Sequence, residues 1–351
     1  MVNILLPDER SPFLKDRQHI LVYYLAMEEY VAAHIAQLLP DAPKGEKEAF
    51  FIWQVNPTVI FGRNQVMEAE VNVKFALERG IHLYRRKSGG GCVFSDRGNI
   101  MLSYVSDTSD VTSTFDKYLN LLAGSIKALG VPAEVSGRND IQIGGRKVSG
   151  NAFFHTPSSS IVHGTLLFDA DFETMQQVLT PSRVKVKSKG VDSVRQHVTN
   201  LKEELVKAGN GKYSDINMFG RHLIRFFCPG GKELVLDDKA VAEIERIVEG
   251  YLDPAFLNGR KHEFTAMKTF KIDGVGEMAL ELDMEGEKIR AARISGDYFA
   301  LEPDFEKTLS EALAGAEKNR ASAMKALENI DLGKYVLNLR AEDFVSAAFD
   351  D

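Results

Sequence analysis

Apolar residues recur at three- and four-residue spacing along 112–129, where Phe115, Leu119, Leu122, Ile126 and Leu129 make one stripe before Gly130. That pattern predicts an amphipathic helix. Residues 17–39 have the same spacing and stop at Pro40, with Glu28, Glu29 and His34 inside the apolar run, so the segment reads as a core helix rather than a membrane span. A short helix is expected at 72–79, closed by Gly80, and a longer one at 236–252, ahead of Asp253-Pro254. The aromatic and branched run 49–55 and the segments 58–61, 81–84, 92–95, 100–105 and 161–168 predict strands. Residues 131–135 read as extended, and 141–143 and 147–148 as a hairpin about Gly144-Gly145. From 265 to 299, strand-like runs are parted by Asp273-Gly274, Glu285-Gly286 and Ser295-Gly296-Asp297, the pattern of a meander. Helical segments near 304–314, 318–329 and 341–349 finish the chain. Strands and helices mix without strict alternation, which predicts an α+β fold with a mixed or mostly antiparallel central sheet flanked by helices. At 351 residues two domains are expected, 1–249 and a small α+β domain over 250–351.

Charge narrows the partners. The net charge of -7 is carried by 251–351, where 20 acidic side chains face 13 basic ones, while 1–250 is balanced. An acidic chain without a broad basic face argues against nucleic acid, and nothing in the pattern predicts a membrane partner. Only Cys92 and Cys228 occur, too few for a disulfide framework or a zinc site, so a reducing, cytoplasmic setting is expected. Asp8, Glu9 and Arg10 interrupt the start, where a secretory leader would be apolar. The exception to the balance is 181–200, where Arg183, Lys185, Lys187, Lys189 and Arg195 surround Asp192. It reads as a basic loop, by itself either a solvated charge run or an anion contact.

Candidate chemistry centres on Arg85-Arg86-Lys87-Ser88-Gly89-Gly90-Gly91-Cys92-Val93-Phe94. Glycines let backbone N–H groups approach a ligand closely, and the guanidinium groups suit a phosphate or carboxylate. The stretch matches neither of the common glycine-rich nucleotide motifs, and a tight turn at a sheet edge is the lesser alternative to an anion cradle. Lys147 sits among small residues after Gly144-Gly145, with Asp140 seven residues earlier and His163-Gly164-Thr165 on a later strand. Those groups could converge as a cation, a carboxylate and hydrogen-bonding partners. No nucleophile stands out, since Cys92 reads as a small buried thiol and Cys228 as structural. No His, Asp or Glu spacing suggests a metal.

Taken together, the motifs resemble a family. The block 85–94, Gly98-Asn99, Gly137-Arg138-Asn139-Asp140, Arg146-Lys147-Val148-Ser149-Gly150, His163-Gly164-Thr165-Leu166-Leu167, the run from Lys189 and Gly190 to Arg195, and Thr199-Asn200-Leu201 follow in the order of the lipoate–protein ligase A family. The resemblance spans nearly the whole chain, with 250–351 similar to that family's accessory domain. It implies a catalytic domain related to biotin ligases and class II aminoacyl-tRNA synthetases. It also implies activation of lipoate, or octanoate, by ATP to an acyl-AMP. The acyl group then passes to a lysine of apo lipoyl domains, in the E2 subunits of 2-oxoacid dehydrogenases or the glycine cleavage H protein.

By the same resemblance, Arg86, Gly91, Cys92, Val93, Phe94, Asp140, Lys147, Lys189 and Gly190 bind ATP or the adenylate. Arg85, Ser88, Gly89, Gly90, Lys147, His163, Gly164 and Thr165 bind lipoate, with Phe94 a wall of the acyl slot. Lys147 is the catalytic residue, Asp140 orients it or holds Mg²⁺, and the basic loop 183–195 covers the adenylate. The chain departs from the family at Cys92, where alanine is expected, and at 253–259, where a tryptophan and a tyrosine are missing. An octanoyltransferase on the same fold needs a cysteine after Lys147, and none lies between Cys92 and Cys228. A biotin ligase would carry a different glycine/arginine pattern. A non-catalytic acyl-carrier binding protein is disfavoured by the intact Lys147 and glycines.

Overall fold

The computed structural model describes residues 1–7, 20–137, 139–179, 197–261, 264 and 266–350. Its centre is a mixed sheet of eight strands. In spatial order these are β11 (Glu233–Val235), β1 (Val2–Leu5), β2 (Glu48–Trp53), β6 (Asn99–Ser106), β10 (Ser160–Leu167), β9 (Arg146–His155), β8 (Asp140–Ile143) and β7 (Ala133–Ser136). The joins of β1 to β11 and to β2 are parallel and the others antiparallel. Beside it stands a small sheet in which β3 (Thr58–Phe61) pairs in parallel with β4 (His82–Arg85) and antiparallel with β5 (Val93–Ser95). The glycine stretch is the connection from β4 to β5, so both its ends are pinned to β3.

The expected helices form, each with a local cause. Leu21–Leu38 covers one face of the large sheet together with Asp238–Leu252, burying Leu25, Met27, Val31, Ile244 and Val248 in one apolar cluster. Val111–Lys127 covers the other face with Ile216–Phe227, and Phe115, Leu119, Leu122, Leu223 and Phe227 fill the space between. Asp110 caps the former by accepting from the Ser113 N–H. The hairpin from β8 to β9 turns at Gly144 and Gly145, both at positive φ, where a side chain would be strained.

The meander is β12 (Ala266–Ile272), β13 (Gly276–Glu285) and β14 (Lys288–Gly296), an antiparallel sheet packed on the helices Phe305–Leu313, Arg320–Leu327 and Ala341–Phe349. This C-terminal domain has its own apolar cluster, but Phe299, Leu301 and Leu337 pack on the core of the large sheet instead. Phe299 is buried in the core of the large sheet and stacks on Phe153 at 5.1 Å. Among the described residues no helix is long and apolar enough to cross a membrane.

Candidate active site

A narrow cavity of about 110 Å³ opens between the small and large sheets. Its walls are apolar, from Leu21 and Leu25 of the first long helix, Trp53, Ile60, Val93 and Met101. Trp53 is held flat by Tyr24, stacked 4.7 Å away. Polar groups gather around the rest of the lining: Arg86, Asn139, Lys147, Asn151, His163 and Thr165. An apolar slot with a few convergent polar groups is the usual form of a small-molecule site.

Lys147 owes its place to an irregularity in β9. The pairing with β8 slips at this point, so Gln142 faces Lys147 while Ile141 faces Ser149. Such a bulge re-aims a side chain. The ammonium group then lies over Gly150, where an added Cβ would stand 2.6 Å from Lys147 Nζ, and Nζ pairs with Asp140 Oδ1 at 2.7 Å. The Lys147 carbonyl accepts from the Thr199 N–H at 2.9 Å, and Glu204 joins the Thr199 hydroxyl to Arg146. Burial pushes the Glu204 carboxyl up, but hydrogen bonds from Lys207 and Thr199 and the charges of Lys207 and Arg146 outweigh it, leaving it below the ordinary carboxylate value.

Arg86 organises the glycine connection from inside. Its guanidinium donates to the carbonyls of Ile60, Gly89 and Gly91 and to Ser88 Oγ. Burial lowers its pKa to about 10. A chain of buried hydrogen bonds continues from Ser88. Its hydroxyl lies 2.7 Å from His163 Nε2, and His163 Nδ1 lies 2.8 Å from Glu28 Oε2. Glu28 Oε1 accepts from Ser103, which accepts from the Trp53 indole. One tautomer satisfies every member. With its proton on Nδ1, His163 donates to Glu28 and accepts from Ser88, whose lone pair receives Arg86. Sequence reasoning placed Glu28 in a core helix and missed this role. A carboxylate in an apolar helical stripe is the signal, because a buried charge needs partners.

The other expected residues separate by position. Gly90, Gly91, Cys92, Val93, Gly164 and Thr165 line the slot. Cys92 is half-buried there rather than enclosed, whereas Cys228 is buried and its thiol pushed up to about 11 by desolvation. Gly164 is needed because an added Cβ would collide with the Asn151 amide, itself bonded by Tyr118. Phe94 does not form a wall. Its ring is buried with Val59, Phe61 and Ala76 behind the small sheet, because alternation along β5 turns Val93 to the slot instead. Arg85 also points away, donating to the carbonyls of Gly62, Arg63, Gln65 and Leu257 and lying over the Phe61 ring at 4.7 Å. Ser88 supports His163 rather than lining the slot, and Gly89 packs against the backbone of Tyr298 and Phe299. Arg138, Lys189, Gly190 and the basic loop 183–195 lie outside the described residues. Asp140 is committed to Lys147, and among the described residues no three His, Cys, Asp or Glu side chains converge as around a metal.

Residues 21–227 match the lipoyl protein ligase A/B catalytic domain. The chain belongs to that family. Residues 261–347 match the bacterial lipoate protein ligase C-terminus, so both halves agree. Lipoate-protein ligase LplJ of Bacillus subtilis is 33% identical over 93% of this chain and 96% of its own length. Lipoate–protein ligase 1 of Staphylococcus aureus is 32% identical over 89% of this chain and 91% of its own. In fold the chain is similar to P. falciparum LipL1, whose crystal structure holds lipoate, with a TM-score of 0.69 at 19% identity over 99% of this chain and 97% of that one.

Proposed function

We propose that this protein activates lipoate, or octanoate, with ATP and transfers the acyl group to a lysine of apo lipoyl domains. The observation that carries this reading is the Lys147–Asp140 pair beside an apolar slot whose rim is the glycine connection. The acyl tail occupies the slot, against Leu25, Trp53 and Met101, and its carboxylate meets Lys147. In the first step a carboxylate oxygen attacks the α-phosphorus of ATP, a new acyl–phosphate bond forms, and the bond to the β-phosphate breaks to release pyrophosphate. Two anions must approach each other, so the step needs fixed cations and N–H donors more than it needs a nucleophile. Lys147 supplies the cation. The main chain of 90–93, freed by Gly90 at φ +86° and held by Arg86, supplies the N–H groups. Arg86 thus acts by shaping the loop, and Asp140 by holding the Lys147 ammonium group.

In the second step the ε-amine of the acceptor lysine attacks the acyl carbon and AMP leaves with the bonding electrons. Lys147 then stabilises the charge on the carbonyl oxygen. The relatives named as lipoate ligases support lipoate as substrate, and E2 lipoyl domains and the H protein are the acceptors this chemistry would serve. We place the domain boundary near residue 250, supported by the separate sheet and apolar cluster beyond it.

Lipoate-dependent exchange of labelled pyrophosphate into ATP tests the reading. Exchange is expected in the unaltered protein and its loss in Lys147→Ala. No exchange in the unaltered protein, together with acyl transfer from an octanoyl carrier protein, would replace the ligase by a transferase.

A further inference from the structure

Arg85, Arg86 and Lys87 leave strand β4 pointing alternately to its two sides, as extended residues do. Arg86 turns toward the acyl slot. Arg85 and Lys87 line a second and larger cavity, of about 440 Å³, between the catalytic and C-terminal domains. Among the described residues six cationic side chains reach it, Arg63, Arg85, Lys87, Arg260, Lys261 and Arg293, against two carboxylates. Some of these charges are already matched. Lys87 pairs with Glu29 at 2.7 Å and Arg260 with Glu306 at 3.0 Å, while Arg293 lies over the Phe264 ring and has further partners.

Arg63 and Arg85 differ. No carboxylate is among the main influences on Arg63, whose pKa is lowered by burial and then by the Arg260 charge. Arg85 is 2% exposed, and its Nη2 is buried without a hydrogen-bond partner among the described residues. Burial, and then Arg260, bring its pKa down to about 10. Guanidinium groups from two domains therefore repel one another across a cavity, and one of them has a donor without an acceptor. Each condition costs stability. A multiply charged oxyanion would relieve both, since guanidinium forks match phosphate oxygens.

We propose that this cavity binds a phosphate anion of the diphosphate class, held by Arg63 and Arg85 on one side and Arg260 on the other, and that the anion fastens the two domains together. The site is distinct from the acyl slot, and binding here does not require the ligase reading. The anion comes either free from solution or as the phosphate tail of a nucleotide.

The test is calorimetric titration of the full chain with inorganic diphosphate at constant ionic strength, without lipoate, alongside Arg63→Gln and Arg260→Gln. Saturable binding is expected, weakened about tenfold or more in each variant. Diphosphate should also raise the melting temperature of the unaltered protein more than that of Arg63→Gln. The Arg63 variant carries the test, because Arg260 has a structural partner in Glu306. A parallel titration with ATP separates the sources. Equal weakening of ATP in Arg63→Gln assigns the nucleotide tail, and unchanged ATP affinity assigns the free anion. Absence of saturable diphosphate binding, or equal affinity in all three proteins, overturns the site. Sulfate binding as tightly as diphosphate overturns the ligand class.

Discussion

The ammonium group of Lys147 occupies the volume that a side chain at residue 150 would need: an added Cβ there would stand 2.6 Å from Nζ and 2.7 Å from Cε. Gly150 is therefore part of how the lysine is positioned. Gly150→Ala should displace the flexible end of Lys147 and leave the strand intact. Misplacing a reacting group by about 1 Å can cost about 100-fold in rate, so pyrophosphate exchange should fall by roughly 10- to 100-fold with little change in melting temperature. Full exchange activity in this variant would show that the observed lysine position is not the working one.

Glu28 and His163 act as one unit. Removing either leaves a buried donor or acceptor unmet, at a cost of about 1–3 kcal/mol. Glu28→Ala and His163→Ala should each destabilise by that order in urea unfolding. The double variant should lose less than the sum, with a coupling of about 0.5–3 kcal/mol. Additive losses would mean that the two side chains do not depend on one another.

Gly89 is the point where the C-terminal domain meets the glycine connection. A Cβ here would collide with the main-chain carbonyl of Tyr298 and stand 3.0 Å from the Phe299 Cα, and backbone cannot swing aside as a side chain can. Gly89→Ala should therefore push the 296–301 segment off the loop and draw Phe299 out of its stack on Phe153. Faster proteolytic cleavage near residue 299, with the catalytic core still folded by circular dichroism, is the expected result. An unchanged cleavage pattern would locate the docking elsewhere.

Acid should loosen the segment that holds the Lys147 carbonyl. The Glu204 carboxyl sits below the ordinary value of 4.5 in the folded protein. A carboxylate lowered by folding stabilises the native state at pH above its ordinary value, and that contribution disappears as pH falls through the lower folded value. Urea-unfolding midpoints of the unaltered protein and Glu204→Gln should differ at about pH 6, and the difference should shrink as pH falls below the ordinary carboxylate value. A difference that grows as pH falls has the wrong sign for this account.

Much of the fold follows from local pattern. The stripe from Phe115 to Ile126 makes a helix wherever it packs, and Gly144-Gly145 turns the chain because only glycine enters those backbone angles cheaply. The short strands Val2–Leu5 and Glu233–Val235 carry no such signal. They exist because each finds a neighbour far away in sequence, and a run of three or four residues has no period to read.

The ordered motifs, and with them the family, were legible in the residues, since spacing along the chain is a one-dimensional property. Direction is not. Whether Arg85 or Arg86 faces the slot depends on the alternation and register of β4, and whether Phe94 or Val93 forms a wall depends on the same property of β5. Glu28 lies 135 residues from His163, and only the packing of the first long helix on β10 joins them. The stretch Arg85-Arg86-Lys87, which suggested one anion cradle, divides instead between two cavities on opposite sides of one strand. Residue type determined the chemistry available to each, and tertiary packing decided which side each charge serves, because a one-residue change of register reverses every side chain.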